Sequence, residues 1–112
     1  MFRTNGGIGS EGAMNEIKDI TVFNKFIKQI EKKYPDIVAG FQSAEDTFIP
    51  DTIGFVAHPA NINDKKRVSV LVGIRPPDDI KPCEHFWSWR NLGDIKDLKK
   101  RILTLVEKMV NE

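Results

Sequence analysis

HFWSWRNLGDIKDLKKRILTLVEKMV, residues 85–110, holds both tryptophans and ends in a run with helical periodicity. Ile95, Leu98, Ile102, Leu105, Val106 and Met109 recur at spacings of three and four, which is one face of an amphipathic helix. Lys96, Lys99, Lys100, Arg101 and Lys108 take the outer face. Asp94 is placed to cap that helix, its carboxylate accepting from the Asp97 amide, and Asp97 adds negative charge at the positive helix end. Upstream of Gly93, residues 85–90 read as a strand. On it Trp87 and Trp89 share one face and Phe86, Ser88 and Arg90 the other.

Working back, Val68 to Ile74 is the strongest strand, with Val68, Val70 and Val72 on one face and Ser69, Leu71 and Gly73 on the other. Both faces are apolar or small, which predicts a central position. Thr52 to His58 alternates Ile53, Phe55 and Ala57. Ile37 to Phe41 and Thr47 to Ile49 are shorter candidates, the second stopped by Pro50. PANINDKK, 59–66, is a polar loop, and RPPDDIKP, 75–82, an irregular connection with three prolines. Phe23, Phe26, Ile27, Ile30 and Tyr34 define a first helix, capped by Asp19 or Thr21 and ended near Lys33, because Pro35 disfavours a helical Tyr34. The short strand connections predict an α+β domain: an N-terminal helix, an antiparallel sheet of three or four strands and a C-terminal helix, both helices on one face. Val70, Leu71, Val72, Phe26, Ile30, Leu98, Ile102 and Leu105 are its expected core.

At 112 residues the chain is one domain. Residues 1–13, with four of the eight glycines, are expected to be a flexible leader. In that reading Met14 is the natural start, and the leader is a cloning remnant or an upstream in-frame extension. Residues 14–112 form the domain. No apolar run reaches the ~20 residues that span a bilayer, and the first residues lack the apolar centre of a secretory signal. Cytosol follows by elimination, with no membrane partner. A single cysteine, Cys83, rules out an internal disulfide.

The net charge of +1 gives no long-range field for nucleic acid. Local basic residues at Lys65, Lys66, Arg67, Arg75 and Arg90 offer a patch that meets phosphates, with Lys99 beside it, and the Trp87–Trp89 pair a stacking platform. The plainer readings are a solvated charged face and a core aromatic pair. Cys83 and His85, with His58, supply an incomplete zinc set or a thiol with a base. Zinc needs four ligands, and no cysteine-enzyme signature surrounds Cys83. GGIGSEG lacks the strand before it and the helix after it that a phosphate loop requires.

FNKFIKQIEKKYPDIV, IGFVAH, RVSVLVGI and HFWSWRNLGDIKDLKKRILTLVEKM together resemble, in element order, the small YdhG-like domains of bacteria and phages. The resemblance covers most of the chain after Met14. It implies the fold, and it implies an accessory or binding role, since related domains stand alone or beside nucleases and defence proteins. It carries no reaction, cofactor or catalytic residue, and the 74–84 insert departs from its tighter turn. The sequence offers no acid/base pair, nucleophile constellation or complete ligand set, beside a sheet expected to leave one face uncovered, so the expected function is a small non-catalytic binding or adaptor domain, with a protein partner or a second copy and no cofactor. Association is expected through the open sheet face or an edge strand near Gly40 or Ile49. A nucleic-acid-contacting accessory domain is the alternative, and a Cys/His-centred metal protein or hydrolase the third reading.

Overall fold

The computed structural model describes residues 20–49, 51–80, 84–92 and 94–112. The proposed leader and Cys83 lie outside the described residues, as does Asp19. A 3-10 turn, Ile20–Phe23, leads into α1, Asn24–Lys33. Strand β1, Ile37–Gln42, is followed by a short helix α2, Ala44–Thr47, then β2, Ile53–Pro59, β3, Val68–Gly73, and β4, Glu84–Ser88. A second 3-10 turn, Trp89–Asn91, precedes α3, Ile95–Val110. The four strands form one sheet in the order β1-β2-β3-β4.

The α+β class holds, with a correction to the sheet. β1, β2 and β3 form an antiparallel meander, but β4 joins β3 in parallel, Ser69 opposite Glu84 and Gly73 opposite Ser88. β3 is about 20 Å long at ~3.3 Å per residue. Residues 74–83 are enough chain to run back along it and start again from the same end. A hairpin would need only two to five residues, and the prolines here fit no ladder.

Alternation and register decide what is buried. Ile53, Phe55 and Ala57 of β2 and Val68, Val70 and Val72 of β3 all face the helices and are buried. α1 contributes Phe23 (from the preceding turn), Phe26 and Ile30, and α3 contributes Leu98, Ile102, Val106 and Met109. Phe41 at the sheet edge stacks on Phe23, ring centroids 4.2 Å apart. Leu71 belongs to the other face and is only partly buried, while Leu105 packs at the core margin. The opposite face carries Val38, Gly40, Val56, His58, Leu71 and Phe86, and among the described residues no long helix crosses it.

Three local expectations change. Thr47–Ile49 is not a strand: Ser43 Oγ accepts the Asp46 amide at 3.3 Å and starts α2 instead. The last strand stops at Ser88, whose Oγ accepts the Arg90 amide at 3.2 Å and bends the chain into a turn. No side chain caps α1 at its N-cap position, Phe23, where the 3-10 turn runs directly into the helix. Its end near Lys33 and the Asp94 cap of α3, 2.8 Å from the Asp97 amide, are as read. Among the described residues no helix is long and apolar enough to cross a membrane.

Leu98 is fully buried. Leu98→Ala is expected to cost ~2–5 kcal/mol in urea unfolding, and Leu105→Ala clearly less. Equal losses would place α3 differently from its observed rotation.

Candidate functional site

Three connections meet at one end of the sheet. β1 ends there, β2 begins there, and β3 and β4 both end there. The β1–β2 connection makes a tight knot. Thr47 Oγ1 donates to the Thr52 carbonyl at 2.9 Å, and the Ile49 amide donates back to Thr47 Oγ1 at 3.3 Å. Thr52 is buried against Gly73, where an added Cβ would run into Thr52 Oγ1 and lie 3.3 Å from its methyl carbon. Gly73 therefore serves close approach of the loop to β3. From the other side the buried indole of Trp89 donates Nε1–H to the Asp51 carbonyl at 3.1 Å.

Two non-glycine residues of this loop adopt left-handed backbone, Phe48 at φ 58° and Asp51 at φ 53°. Such a conformation costs an L-residue about 1–2 kcal/mol and persists where the surroundings over-determine it. The Thr47, Thr52 and Trp89 contacts do so here. Phe48 occupies the position after α2 where glycine usually ends a helix, with its amide on the Glu45 carbonyl at 3.3 Å. Its side chain is 92% exposed.

Beside it, Ile49, Asp51, Thr52, Ile74, Arg75 and the Pro76–Pro77 pair line a cleft of about 750 Å³. Ile74 is half exposed. The rim carries both signs of charge, Arg75 against Asp51 and Asp78. The cleft thus combines Ile49, Ile74 and two prolines with charged and polar walls, and Phe48, next to Ile49 in sequence, stands exposed outside its lining.

The residues singled out by sequence fall in several places. Arg75 lines the cleft, and Arg90 is exposed at the same sheet end, in the turn after β4. Lys65, Lys66 and Arg67 lie at the opposite end, before β3 begins, so the five cations do not form one patch. Lys66 Nζ donates to the Glu112 carbonyl at 2.7 Å. Lys99 sits over Phe26, 5.8 Å from the ring centre.

Trp89 is core, and Trp87 is half-buried on the helix side under the Arg101 guanidinium, 5.9 Å from its ring centre. Arg101 is itself held by Asp97 at 3.2 Å and by the Asn91 carbonyl at 2.9 Å. The pair thus offers no open stacking platform, and Phe86 is the aromatic that looks away from the helices.

His58 lies on the open face of β2 with Nδ1 2.8 Å from the Pro59 carbonyl oxygen. His85 stands on β4 opposite Val70, hence on the helix side. β3 separates the two strands, so the fold does not bring the histidines together. Among the described residues no three His, Cys, Asp or Glu side chains converge to hold a metal ion.

Phe48 and Ile74 escaped the sequence reading. The available signal was an apolar pair, Phe48-Ile49, between the Ser43–Asp46 helix start and a proline. Comparison with family models, curated proteins and solved structures gives no match.

Phe48→Gly is expected to raise stability by ~0.5–1 kcal/mol, because the left-handed strain goes and almost no burial is lost. Trp89→Phe is expected to lower it by ~0.5–3 kcal/mol, through the lost hydrogen bond and its stranded acceptor. Thermal melts check both, and a destabilised Phe48→Gly would show that the Phe48 ring is packed.

Proposed function

We propose that this chain is a small, non-catalytic binding domain that grips a protein partner at the loop-end cleft. The observation that carries this reading is Phe48, held 92% exposed on a backbone that would suit glycine. A bare aromatic costs solubility, and its left-handed backbone costs folding energy. A partner that buries the ring recovers that cost, and rigid aromatics are the residues that dominate interface energies. Ile74 extends the apolar contact. Arg75, Asp51 and Asp78 supply the charged rim, which tunes partner choice and encounter rate. The cytosol is the proposed compartment. The element order shared with YdhG-like domains accords with an accessory role.

The nucleic-acid reading draws less support. Lys65–Arg67 and the Arg75–Arg90 pair stand at opposite ends of β3, and Trp87 lies under Arg101. A duplex or strand would have to track from one end of the domain to the other.

The test compares wild type with Phe48→Ser/Ile74→Ser as immobilised bait in extract of the source cells. One discrete protein is expected to be retained stoichiometrically by wild type and to fall at least ~10-fold with the double variant, which loses two exposed anchors. The double variant should melt within a few degrees of wild type. Equal retention by both baits sinks the cleft. Binding to nucleic acid that weakens steeply with salt, and that Lys66→Ala/Arg67→Ala flattens, would instead favour the basic residues.

A further inference from the structure

The outer edge of β1 carries a second surface, independent of the loop-end cleft. The Ala60 amide donates to the Asp36 carbonyl at 2.8 Å, which fixes the phase of the β1–β2 ladder. In an antiparallel pair, hydrogen-bonded positions alternate. Val38, Gly40 and Gln42, opposite His58, Val56 and Gly54, therefore point their backbone groups at β2. Ile37, Ala39 and Phe41 point theirs outward. The Ile37 amide is already used by the Tyr34 carbonyl at 3.0 Å. Among the described residues nothing pairs with the outward groups of Ala39 and Phe41.

Natural edges are blunted by lysine, proline or bulges. β1, Ile-Val-Ala-Gly-Phe-Gln, has no charged residue and no proline, and it pairs with β2 without a bulge. An added Cβ at Gly40 meets nothing within 4 Å. A groove of about 380 Å³ runs beside the edge on the helix side, lined by Ile20, Ile27, Gly40 and Phe41, with Lys28 and Glu31 among its walls.

We propose that two copies of this chain join through β1 about a two-fold axis at Gly40, continuing the sheet from four strands to eight. The blocked Ile37 amide chooses the register. Centred on Ala39, the pairing would face Phe41 with the partner's Ile37, whose amide cannot donate. Centred on Gly40, Ala39 faces the partner's Phe41, and each exchanges both bonds, so all the outward groups of Ala39 and Phe41 are satisfied.

Side chains agree with this register. The two Gly40 residues meet where antiparallel backbones approach most closely, ~4.5 Å between Cα atoms. Large Phe41 lies across from small Ala39, and Val38 across from Gln42. Lys28 and Glu31 are one turn apart on α1, so a two-fold copy of that rim presents its charges in the opposite order. A second copy thus matches the edge in backbone pattern, in size and in charge.

Sedimentation equilibrium of the full chain tests this, with Gly40→Lys and Leu71→Lys beside wild type. Wild type should reach twice 12.7 kDa as concentration rises. Gly40→Lys places two like charges at the axis and should weaken the dimer by about 100-fold or more. It should keep wild-type far-UV circular dichroism and tryptophan emission, since the site has room for a side chain and both tryptophans lie on or beyond β4. Leu71→Lys, in the middle of the open face, should still dimerise. A wild type that stays monomeric, a Gly40→Lys chain that dimerises unchanged, or a Leu71→Lys chain that alone loses the dimer would each overturn the proposal. Loss of partner capture by Phe48→Ser/Ile74→Ser leaves this dimer intact, so the two surfaces fail separately.

Discussion

One hydrogen bond organises the loop end of the molecule. An indole N–H is only a donor, and once buried it needs an acceptor. Trp89 finds it in the Asp51 carbonyl, 3.1 Å away in a loop that precedes it by thirty-eight positions. That carbonyl belongs to one of the loop's two left-handed residues. The same contact ties the C-terminal turn to the β1–β2 connection and shuts the sheet end beneath it. Exposure of Phe48 is the outward side of this arrangement. The loop is pulled inward at Thr52 and Asp51, and Phe48 lies outside that grip.

The sheet divides its labour by face. Helix-side positions are large and apolar, and they carry the burial that drives folding. The other side is built from Gly40, Gly54, Ser69 and Gly73 between a few aliphatics. At one end α2 and its following loop fold over that side, with Thr47 and Gln42 beside Gly54 and Thr52 against Gly73. Small residues there let loop backbone approach the strands. Toward β1 nothing described takes advantage of the room, and Gly40 is left bare.

Much of this fold was legible because burial enforces periodicity. α3 announced itself through its apolar stripe and the Asp94 cap, and β3 through its β-branched run. α1 ended where Pro35 required. The direction of β4 was not legible. A strand reads the same whichever way it runs, and only the length of chain after Gly73 bears on it. α2 was hidden by the apolar Thr47–Ile49, although Ser43 and Asp46 carried a capping pattern. Two tryptophans two apart read as strand alternation, which misplaces Trp89, and Ser88 beside them is the bend signal. The site was less legible than the fold. Arg75 was singled out for charge and lies at the cleft. Phe48 is harder to read: the apolar Phe48-Ile49 pair before a proline is a weak local signal, and the exposure of the ring depends on tertiary closure.

The parallel seat of β4 also has a temporal side. The antiparallel ladders can zip from pairs eleven and twelve positions apart, Ala57 with Val68 and Gln42 with Gly54, whereas every β3–β4 pair is fifteen apart and has no tight turn to start from. Loop-closure entropy is paid before such pairing is rewarded, so the meander is expected to form first, with the β4–α3 half docking onto it. Both tryptophans sit in that later half. Intrinsic fluorescence therefore times the docking step and is blind to the meander, while amide protons of β2 should gain protection ahead of it. Stopped-flow emission that leads β2 protection would reverse this order.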